Sequence, residues 1–282
     1  MAERGDAAQS GQAGPGQVRA IARALAVLRA LAASNGGLTL SETAEETGLA
    51  PSTAHRILTT LESERFVRYD STLGLWQVGV AAFSVGGAFA RNREVVSLAR
   101  PFLRRLSELS GETANIYVES GGEVVCMAQM ESRHTMRAIT QVGGRVRMHW
   151  SAAGKVLLAT MEDAEIRRIL DRQGMPRATP RTITSPEAMM REIAAIRRSG
   201  FARDDEEYAE GLRCIAAPVF DENGRAVAAV SVSGPTQRIT RERIPALESS
   251  LGELAAMITR EYGGTAPRGW QQRSGRDPAA LL

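Results

Sequence analysis

Residues 39–67, TLSETAEETGLAPSTAHRILTTLESERFV, constrain the fold of this chain more than any other stretch. Apolar residues four positions apart predict a short amphipathic helix over 41–47, with Ser41 as its N-cap and Gly48 at its C-terminal end. Pro51 suits the first position of a second helix, because its missing N–H would have no partner there in any case. Two short helices joined by a glycine turn predict a helix-turn-helix.

The second helix, from Pro51 to Glu64, separates its side chains into two faces. The apolar face carries Ala54, Ile57, Leu58 and Leu61, and the polar face carries Ser52, Thr53, His55, Arg56, Thr59 and Thr60. A helix of this kind enters the major groove of DNA, where Arg56 is the best candidate to contact guanine. The alternative is a small helical bundle without a ligand, but such a bundle does not require so many donors on one side.

The flanking segments extend this prediction. Residues 66–69 and 73–78 are strand-like with a turn between them, and a hairpin directly after a recognition helix is a wing. Arg68 and Tyr69 near its tip are candidates to touch phosphate or the minor groove. Arg19 and Arg23 lie on the polar face of a preceding helix over 18–33, where they either reach phosphate or are simply solvated.

Composition excludes several classes of protein. The net charge is only +3, and Lys155 is the sole lysine among 35 cationic residues, so any DNA affinity comes from local placement of arginine. Two distant cysteines, Cys126 and Cys214, argue against a disulfide framework and fit a reducing cytoplasm. Three scattered histidines predict no metal site, and no cofactor is predicted. No apolar run is long enough for a membrane span, and no signal peptide is evident.

The chain divides into five predicted regions. We expect a disordered arm over 1–16, a DNA-binding domain over 17–79, a linker helix over 80–94, a sensor domain over 95–262 and a flexible tail over 263–282. The small-residue-rich linker helix is expected either to pack against its twin in a dimer or to be buried in its own chain.

The sensor domain is predicted to be α+β, because hairpin-paired strands alternate with amphipathic helices. Its strands are expected over 114–119, 123–130, 135–141, 213–220 and 225–233, and its helices over 95–109, 151–161, 164–173, 186–199 and 242–262. Pro101 is expected to interrupt the first of these helices near its start.

Two neighbouring strands of this domain carry small polar groups on one face. Ser231 and Ser233 are two residues apart, so both point to the same side, and Leu212 and Cys214 share a face of the adjacent strand. Buried hydroxyl groups are costly unless they are paired. Either these serines line a ligand pocket or they bond to nearby backbone inside a filled core.

A helix N-terminus supplies the second half of the predicted pocket. Ser151 is a good N-cap, and the free amides of Ala152 and Ala153 form a site suited to an anion. Asp204 is a candidate to hold a hydroxyl or hydrate of the ligand. The residues therefore favour a pocket for a small carboxylate.

Catalytic sites are not indicated. The segment around Lys155 lacks the glycine and the Ser/Thr of a phosphate loop, and Ser151 has no GxSxG elbow. Cys214 has no evident histidine partner, so an inert thiol is favoured over a nucleophile. We therefore predict no catalytic residues, although an enzyme with an accessory winged-helix domain, or a redox sensor using Cys214, remain rival hypotheses.

Five segments together resemble the IclR family of bacterial transcriptional regulators: RALAVLRAL at 23–31, LAPSTAHRILTTLESERFV at 49–67, SAAGKVLLA at 151–159, EYAEGLRCIAAPV at 207–219 and AAVSVSGP at 228–235. The resemblance covers about residues 18–262. It implies a winged helix-turn-helix, a linker helix and a GAF-like domain whose mixed or antiparallel sheet is flanked by helices. It also implies dimers, often paired into tetramers, on palindromic double-stranded DNA operators.

The resemblance further implies an effector and the residues that hold it. Effectors of the family are small organic acids, including glyoxylate and pyruvate, or aromatic acids. The family's ligand positions correspond here to Ala152, Ala153, Asp204, Leu212, Cys214, Ser231 and Ser233. Many relatives have glycine at position 152, and alanine narrows the entrance, which favours a short 2-oxo acid. Thr135, Met136 and Ala138 are further candidates for an apolar wall.

Overall fold

The first part of the chain is a winged helix-turn-helix, as the sequence predicts. A computed structural model describes residues 18–34, 36–91, 94–135 and 141–271, which fall into two compact units, Met1–Asn92 and Arg93–Leu282. The first unit contains α1 (Arg19–Ala33), α2 (Leu40–Thr47), α3 (Pro51–Ser63), β1 (Val67–Asp70), β2 (Leu75–Val78) and α4 (Val80–Arg91). Strands β1 and β2 pair antiparallel to form the wing.

A small core holds this unit together. Val27 and Leu31 of α1 pack with Leu58 of α3 and with Val67 and Trp76 of the wing. Burial of each such side chain contributes about 1.5–3 kcal/mol. The N-terminal half of α1 reaches beyond this core, and its apolar residues there remain exposed although they follow helical spacing.

The N-cap of α2 is Thr39, so the prediction of Ser41 is wrong. Thr39 Oγ1 accepts the N–H of Glu42 at 3.2 Å, and Glu42 Oε2 accepts the N–H of Thr39 at 2.8 Å. This reciprocal capping box requires a Glu three residues after the cap, a requirement that Thr39 meets and Ser41 does not. Ser41 is instead an exposed residue of the first turn.

Replacing Thr39 by alanine should make local unfolding of α2 easier. We expect a loss of about 1 kcal/mol, because both capping bonds disappear, and hence roughly fivefold faster exchange of the α2 amides. Hydrogen–deuterium exchange of the peptide covering α2 measures this effect. Ser41→Ala is the matched control, and equal acceleration in both variants would contradict the capping assignment.

The second unit is a six-stranded antiparallel sheet flanked by helices. Its elements are α5 (Glu94–Ser110), β3 (Thr113–Ser120), β4 (Glu123–Met130), β5 (Arg145–Arg147), α6 (Ala152–Ala159), α7 (Asp163–Gln173), α8 (Pro186–Ser199), β6 (Ala202–Asp205), β7 (Leu212–Phe220), β8 (Ala226–Pro235), α9 (Ile244–Glu261) and α10 (Arg268–Gln271). The strand order is β5-β4-β3-β8-β7-β6. None of the helices in the described ranges of either unit is long and apolar enough to cross a membrane.

Alternating side chains of the sheet divide between two cores. On one face, residues such as Val230 and Val232 pack with α5 and α9. On the other face, Ala216 and Ala229 pack with α6, α7 and α8. Ser231 belongs to this second face because it alternates with the two valines. The sequence-based assignment of the faces of β8 is therefore confirmed.

Several elements differ from the sequence-based expectations. Strands β5 and β6 were not predicted, because each is too short to show a clear alternation of apolar residues. Helix α5 runs through Pro101, since a proline within a packed helix removes only one backbone bond. Thr135 lies in a bend, and residues 136–140, including Met136 and Ala138, lie outside the described residues.

The end of the chain is also more ordered than the predicted tail. The N–H of Thr265 donates to the carbonyl of Asp221 at 3.0 Å, and α10 follows. The Trp270 ring lies edge-on to Phe220, with 5.8 Å between ring centroids. Residues 263–271, which belong to the predicted flexible tail, thus include a helix and an aromatic side chain in defined contact with the second unit. The predicted arm over 1–16 and residues 272–282 lie outside the described residues.

Candidate functional site

A cavity of about 260 Å³ in the second unit lies between the sheet, the start of α6 and the loop after β6. It brings together all of the predicted effector residues: Ala152, Ala153, Asp204, Leu212, Cys214, Ser231 and Ser233. The remaining lining residues are Tyr117, Val146, Ser151, Tyr208 and Ala209. Thr135, a further candidate for the wall, is not among them.

The first turn of α6 presents free backbone donors to this cavity. Ser151 Oγ accepts the N–H of Gly154 at 3.0 Å and thereby caps the helix, as predicted. Among the described residues, no acceptor satisfies the N–H groups of Ala152 and Ala153. These amides carry the partial positive charge of a helix N-terminus, so they favour an anion.

A row of polar side chains crosses the sheet opposite these amides. In the strand register Asp204 pairs with Cys214, and Cys214 pairs with Ser233. Neighbouring strands are about 4.8 Å apart, so the three groups span roughly 10 Å. Ser231 lies two residues further along β8 on the same face. Together these groups form a polar floor beneath an otherwise apolar cavity.

The two serines have different surroundings. The Asn115 side-chain amide donates to Ser233 Oγ at 3.4 Å, and Gln129 Nε2 in turn donates to Asn115 Oδ1 at 3.1 Å. Ser231 Oγ is buried and has no hydrogen-bond partner among the described residues. A buried unpaired hydroxyl costs about 1–3 kcal/mol, so its position on a cavity wall points to a missing partner.

Asp204 is almost completely buried, with only 1% of its surface exposed. Its Oδ1 accepts the N–H of Glu207 at 2.7 Å and that of Tyr208 at 3.3 Å. Burial raises the pKa of Asp204 to about 6, although these N–H groups and the charge of Lys155 oppose the rise. The carboxyl therefore changes its protonation state close to physiological pH.

Lys155 is fully buried below the cavity, and the sequence did not reveal its role. Its Nζ donates to Glu207 Oε1 and, at 3.2 Å, to Glu192 Oε1. Burial raises the pKa of Glu207 to about 7 against the opposing influence of Lys155. The available signal was a single charged residue inside the apolar helix segment SAAGKVLLA, a position at which charge needs a buried partner.

The loop after β6 forms one wall of the cavity and is tied down by two threonines. Thr179 Oγ1 donates to the Glu206 carbonyl at 2.6 Å, and Thr182 Oγ1 donates to the Glu207 carbonyl at 2.7 Å. Tyr208 of this loop lies 6.1 Å from the Trp150 ring, centroid to centroid. Sequence reasoning missed Tyr208 and Tyr117 as lining residues, because Tyr208 lies on a loop without regular periodicity and Tyr117 on a strand buried on both faces.

Cys214 is a poor nucleophile in this environment. Burial and the nearby charge of Asp204 raise the pKa of its thiol well above the ordinary value. The thiol is therefore neutral near pH 7, and it lies beside Asp204 in the register of β6 and β7. Across the described residues, no group of His, Cys, Asp or Glu is arranged to hold a metal ion.

The DNA-binding candidates of the first unit lie largely on its exposed surface. Those exposed are Arg19, Arg23, Ser41, Pro51, Ser52, His55, Arg56, Thr59, Arg68 and Tyr69, whereas Thr53 is half-buried. Thr59 Oγ1 donates to the backbone carbonyls of His55 and Arg56, so its hydrogen is already used within α3. The Tyr69 ring packs on Trp76 at 4.9 Å, which fixes one side of the wing.

Comparisons with known families account for both units. The family model described as "IclR helix-turn-helix domain" matches residues 20–71, and that described as "Bacterial transcriptional regulator IclR C-terminal" matches residues 87–260. The chain is 40% identical to the transcriptional repressor IclR of Escherichia coli over 88% of its own length and 92% of that protein. It is 42% identical to the HTH-type transcriptional regulator BhcR of Paracoccus denitrificans over 94% of each chain.

Solved structures agree with these relatives. The fold is similar to that of Thermotoga maritima IclR, with a TM-score of 0.72, 29% identity and coverage of 86% of this chain and 98% of the other. It is also similar to an IclR homolog from Microbacterium hydrocarbonoxydans complexed with 4-hydroxybenzoate, with a TM-score of 0.76, 25% identity and coverage of 86% and 99%.

Proposed function

The chain belongs to the IclR family of bacterial transcriptional regulators, and from this premise we propose that a small carboxylate bound in its cavity controls its output at a DNA operator. The observation that carries the proposal is the unpaired Ser231 hydroxyl, which shares the cavity with the free amides of Ala152 and Ala153. An acid would satisfy these donors at once. An ordinary apolar core would leave them unpaired.

The proposed effector is a short 2-oxo acid such as glyoxylate or pyruvate. Its carboxylate would accept from the Ala152 and Ala153 amides and the Ser231 hydroxyl. Its carbonyl or hydrate would face Ser233 and Asp204, which lie within one row of the sheet. An aromatic acid is the alternative, because the similar Microbacterium hydrocarbonoxydans structure holds 4-hydroxybenzoate.

The proposed DNA interface is the exposed face of α3 together with the wing. Ser52, Thr53, His55 and Arg56 would enter the major groove, and Arg68 would reach phosphate. Ser41, at the start of α2, remains a candidate only for a contact with the DNA phosphate backbone. Arg19 and Arg23 at the start of α1 would add contacts to the phosphate backbone.

Self-association is part of the proposal. Helix α4 exposes Val80, Phe83 and Val85, each with more than half of its surface accessible in the single chain. Val80 and Phe83 lie on one side of α4 and Val85 on the opposite side, so the helix offers exposed apolar surface for a dimer, and we propose that dimers pair into a tetramer. Two recognition helices would then contact half-sites about one DNA turn apart or a multiple of that spacing, so an acid that changes the spacing would change operator affinity.

Titration calorimetry combined with gel shifts tests the proposal. Glyoxylate, pyruvate and 4-hydroxybenzoate are titrated into the full chain, and the acid that binds is then added to the protein on its promoter DNA. Binding and altered DNA affinity would support the proposal, and tighter binding of 4-hydroxybenzoate would favour the aromatic alternative. Absence of binding by all three acids would contradict it, whereas chemical turnover of an acid would support the rival enzyme hypothesis.

Arg56→Ala should weaken operator binding by roughly tenfold, because a guanidinium contact to guanine or phosphate contributes about 1–3 kcal/mol. A gel shift at fixed salt concentration measures the change. Arg29→Ala, an exposed arginine on α1 outside the proposed interface, is the control and should bind normally. Normal operator binding by Arg56→Ala would remove this residue from the interface.

A further inference from the structure

Three carboxyl groups and a single ammonium group meet beneath the cavity. Lys155 Nζ bonds to both Glu207 and Glu192, and Asp204 lies beside Glu207 through the backbone bond described above. Asp204 and Glu207 are 1% and 7% exposed, and Lys155 has no exposed surface. When its carboxyl groups are ionised, this cluster therefore carries more negative than positive charge before any ligand enters.

No other side chain on the cavity wall compensates for this excess. The lining contains no arginine or lysine among the described residues. The thiol of Cys214 on β7 is neutral, because its pKa lies well above the ordinary value. Ser231 and Ser233 on β8 are uncharged. An entering carboxylate would meet only the partial charges of the α6 amides.

The groups just outside the lining do not change this balance. His149 precedes α6, and burial lowers the pKa of its imidazole, which is therefore neutral near pH 7. Arg147 lies over the Trp150 ring at 5.8 Å and donates to the carbonyl of Gln173. The guanidinium of Arg147 thus contacts the end of α7 and the indole ring rather than Asp204.

A second anion beside ionised Asp204 would be strongly disfavoured in this buried site. Like charges that share a site raise the pKa of one member of the pair. Asp204 is suited to accept the proton, because Oδ1 already accepts two N–H groups and Oδ2 is left to carry it. A protonated carboxyl would then donate a hydrogen bond to the ligand instead of repelling it.

We propose that acid binding takes up one proton, which Asp204 holds while it donates a hydrogen bond to the bound anion. This inference rests on the proposed function and adds that the affinity of the same site for the acid depends on pH. Below the pKa of Asp204 in the free protein, the proton is already present and affinity is constant. Above that pKa, affinity falls by about tenfold for each pH unit, until the higher pKa of the complex is passed.

Calorimetry in buffers of different ionisation enthalpy tests the proposal directly. Glyoxylate is titrated into the full chain near pH 7, and the slope of observed heat against buffer ionisation enthalpy gives the number of protons taken up. We expect a value close to one, and dissociation constants from about pH 5.5 to about pH 8 should rise with pH. Binding without proton uptake would overturn the inference while leaving the proposed function intact. Binding of no acid at all would instead remove the proposed function.

The variant Asp204→Asn tests whether ligand binding requires a neutral hydrogen-bond donor or an ionised carboxylate at this position. The amide resembles a protonated carboxyl in charge and can donate, so we expect glyoxylate binding that no longer depends on pH. Asp205→Asn is the matched control, because Asp205 is adjacent on β6 and its carboxylate pairs with Arg213 at 2.5 Å rather than lining the cavity. It should keep the pH dependence of the unaltered chain.

Loss of glyoxylate binding by a folded Asp204→Asn protein at every pH would show that an ionised carboxylate is required and would overturn the inference. Circular dichroism establishes whether this variant is folded. Should it fail to fold, the proton count for the unaltered chain decides the question by itself.

Discussion

Lys155→Met should lower the free energy of unfolding of the second unit by about 3–5 kcal/mol. The methionine fills a similar volume but leaves the Glu207 carboxyl buried without its cation. Glu207 is 7% exposed, and its second oxygen has no hydrogen-bond partner among the described residues, so this carboxyl cannot turn to an alternative donor. Urea unfolding followed by circular dichroism measures the loss as a shift in midpoint at unchanged slope.

A double variant separates the cost of unpaired charge from a simple loss of packing. Lys155→Met combined with Glu207→Leu removes both charges, and we expect it to recover most of the lost stability. Glu192→Gln serves as the control, because Glu192 bonds to the same ammonium but its side chain is 32% exposed. A loss below about 1 kcal/mol for Lys155→Met would contradict a stabilising role of the buried pair.

Ser231→Ala should make the protein more stable and a weaker sensor. Removing a buried hydroxyl without a partner relieves a cost of about 1 kcal/mol or more. The same change removes one proposed donor to the ligand carboxylate, a bond of about 1.5–3 kcal/mol, so acid affinity should fall by roughly 10- to 100-fold. Urea unfolding of the ligand-free protein and calorimetry with glyoxylate measure the two effects.

Ser107→Ala is the matched control for this variant. The Ser107 hydroxyl is also buried, but it donates to the Glu112 carbonyl at 2.8 Å and lies away from the cavity. Its removal should cost about 1 kcal/mol of stability without affecting acid affinity. A Ser231→Ala protein that loses stability and keeps its affinity would show that the hydroxyl serves only the fold.

We expect the free energy of unfolding to fall on Lys155→Met and to rise on Ser231→Ala. The difference arises because the two buried polar side chains have different hydrogen-bond partners. The Lys155 ammonium donates to both Glu207 and Glu192 within the folded chain, so removal of this cation is costly. Ser231 and the Ala152 and Ala153 amides lack partners within the described chain. Under the proposed function, a ligand would supply those partners, and the ligand-free protein would tolerate their cost.

Local sequence patterns determined the helix-turn-helix, the wing and the ends of several helices. Pro51, Gly48 and the alternation of apolar residues act over a few neighbouring positions, and the bonds that they predict are made within one turn or hairpin. The same applies to Ser151, whose cap on α6 is a contact three residues away. Ser41 was assigned incorrectly, because the reciprocal bonds between Thr39 and Glu42 start α2 at Leu40, one residue earlier than predicted.

The alternation of side chains along β8 placed Ser231 and Ser233 on one face, and the helix N-terminus of α6 was also readable from sequence. The sequence also predicted that these pieces share a pocket, whereas the tertiary structure alone placed Tyr117 and Tyr208 beside them. Only the tertiary structure revealed that Lys155 pairs with Glu207 rather than with solvent, and that Trp270 anchors the chain beyond α9. The reason is physical: burial, partner choice and the resulting pKa depend on residues distant in sequence, whereas caps, turns and periodicity depend on adjacent ones.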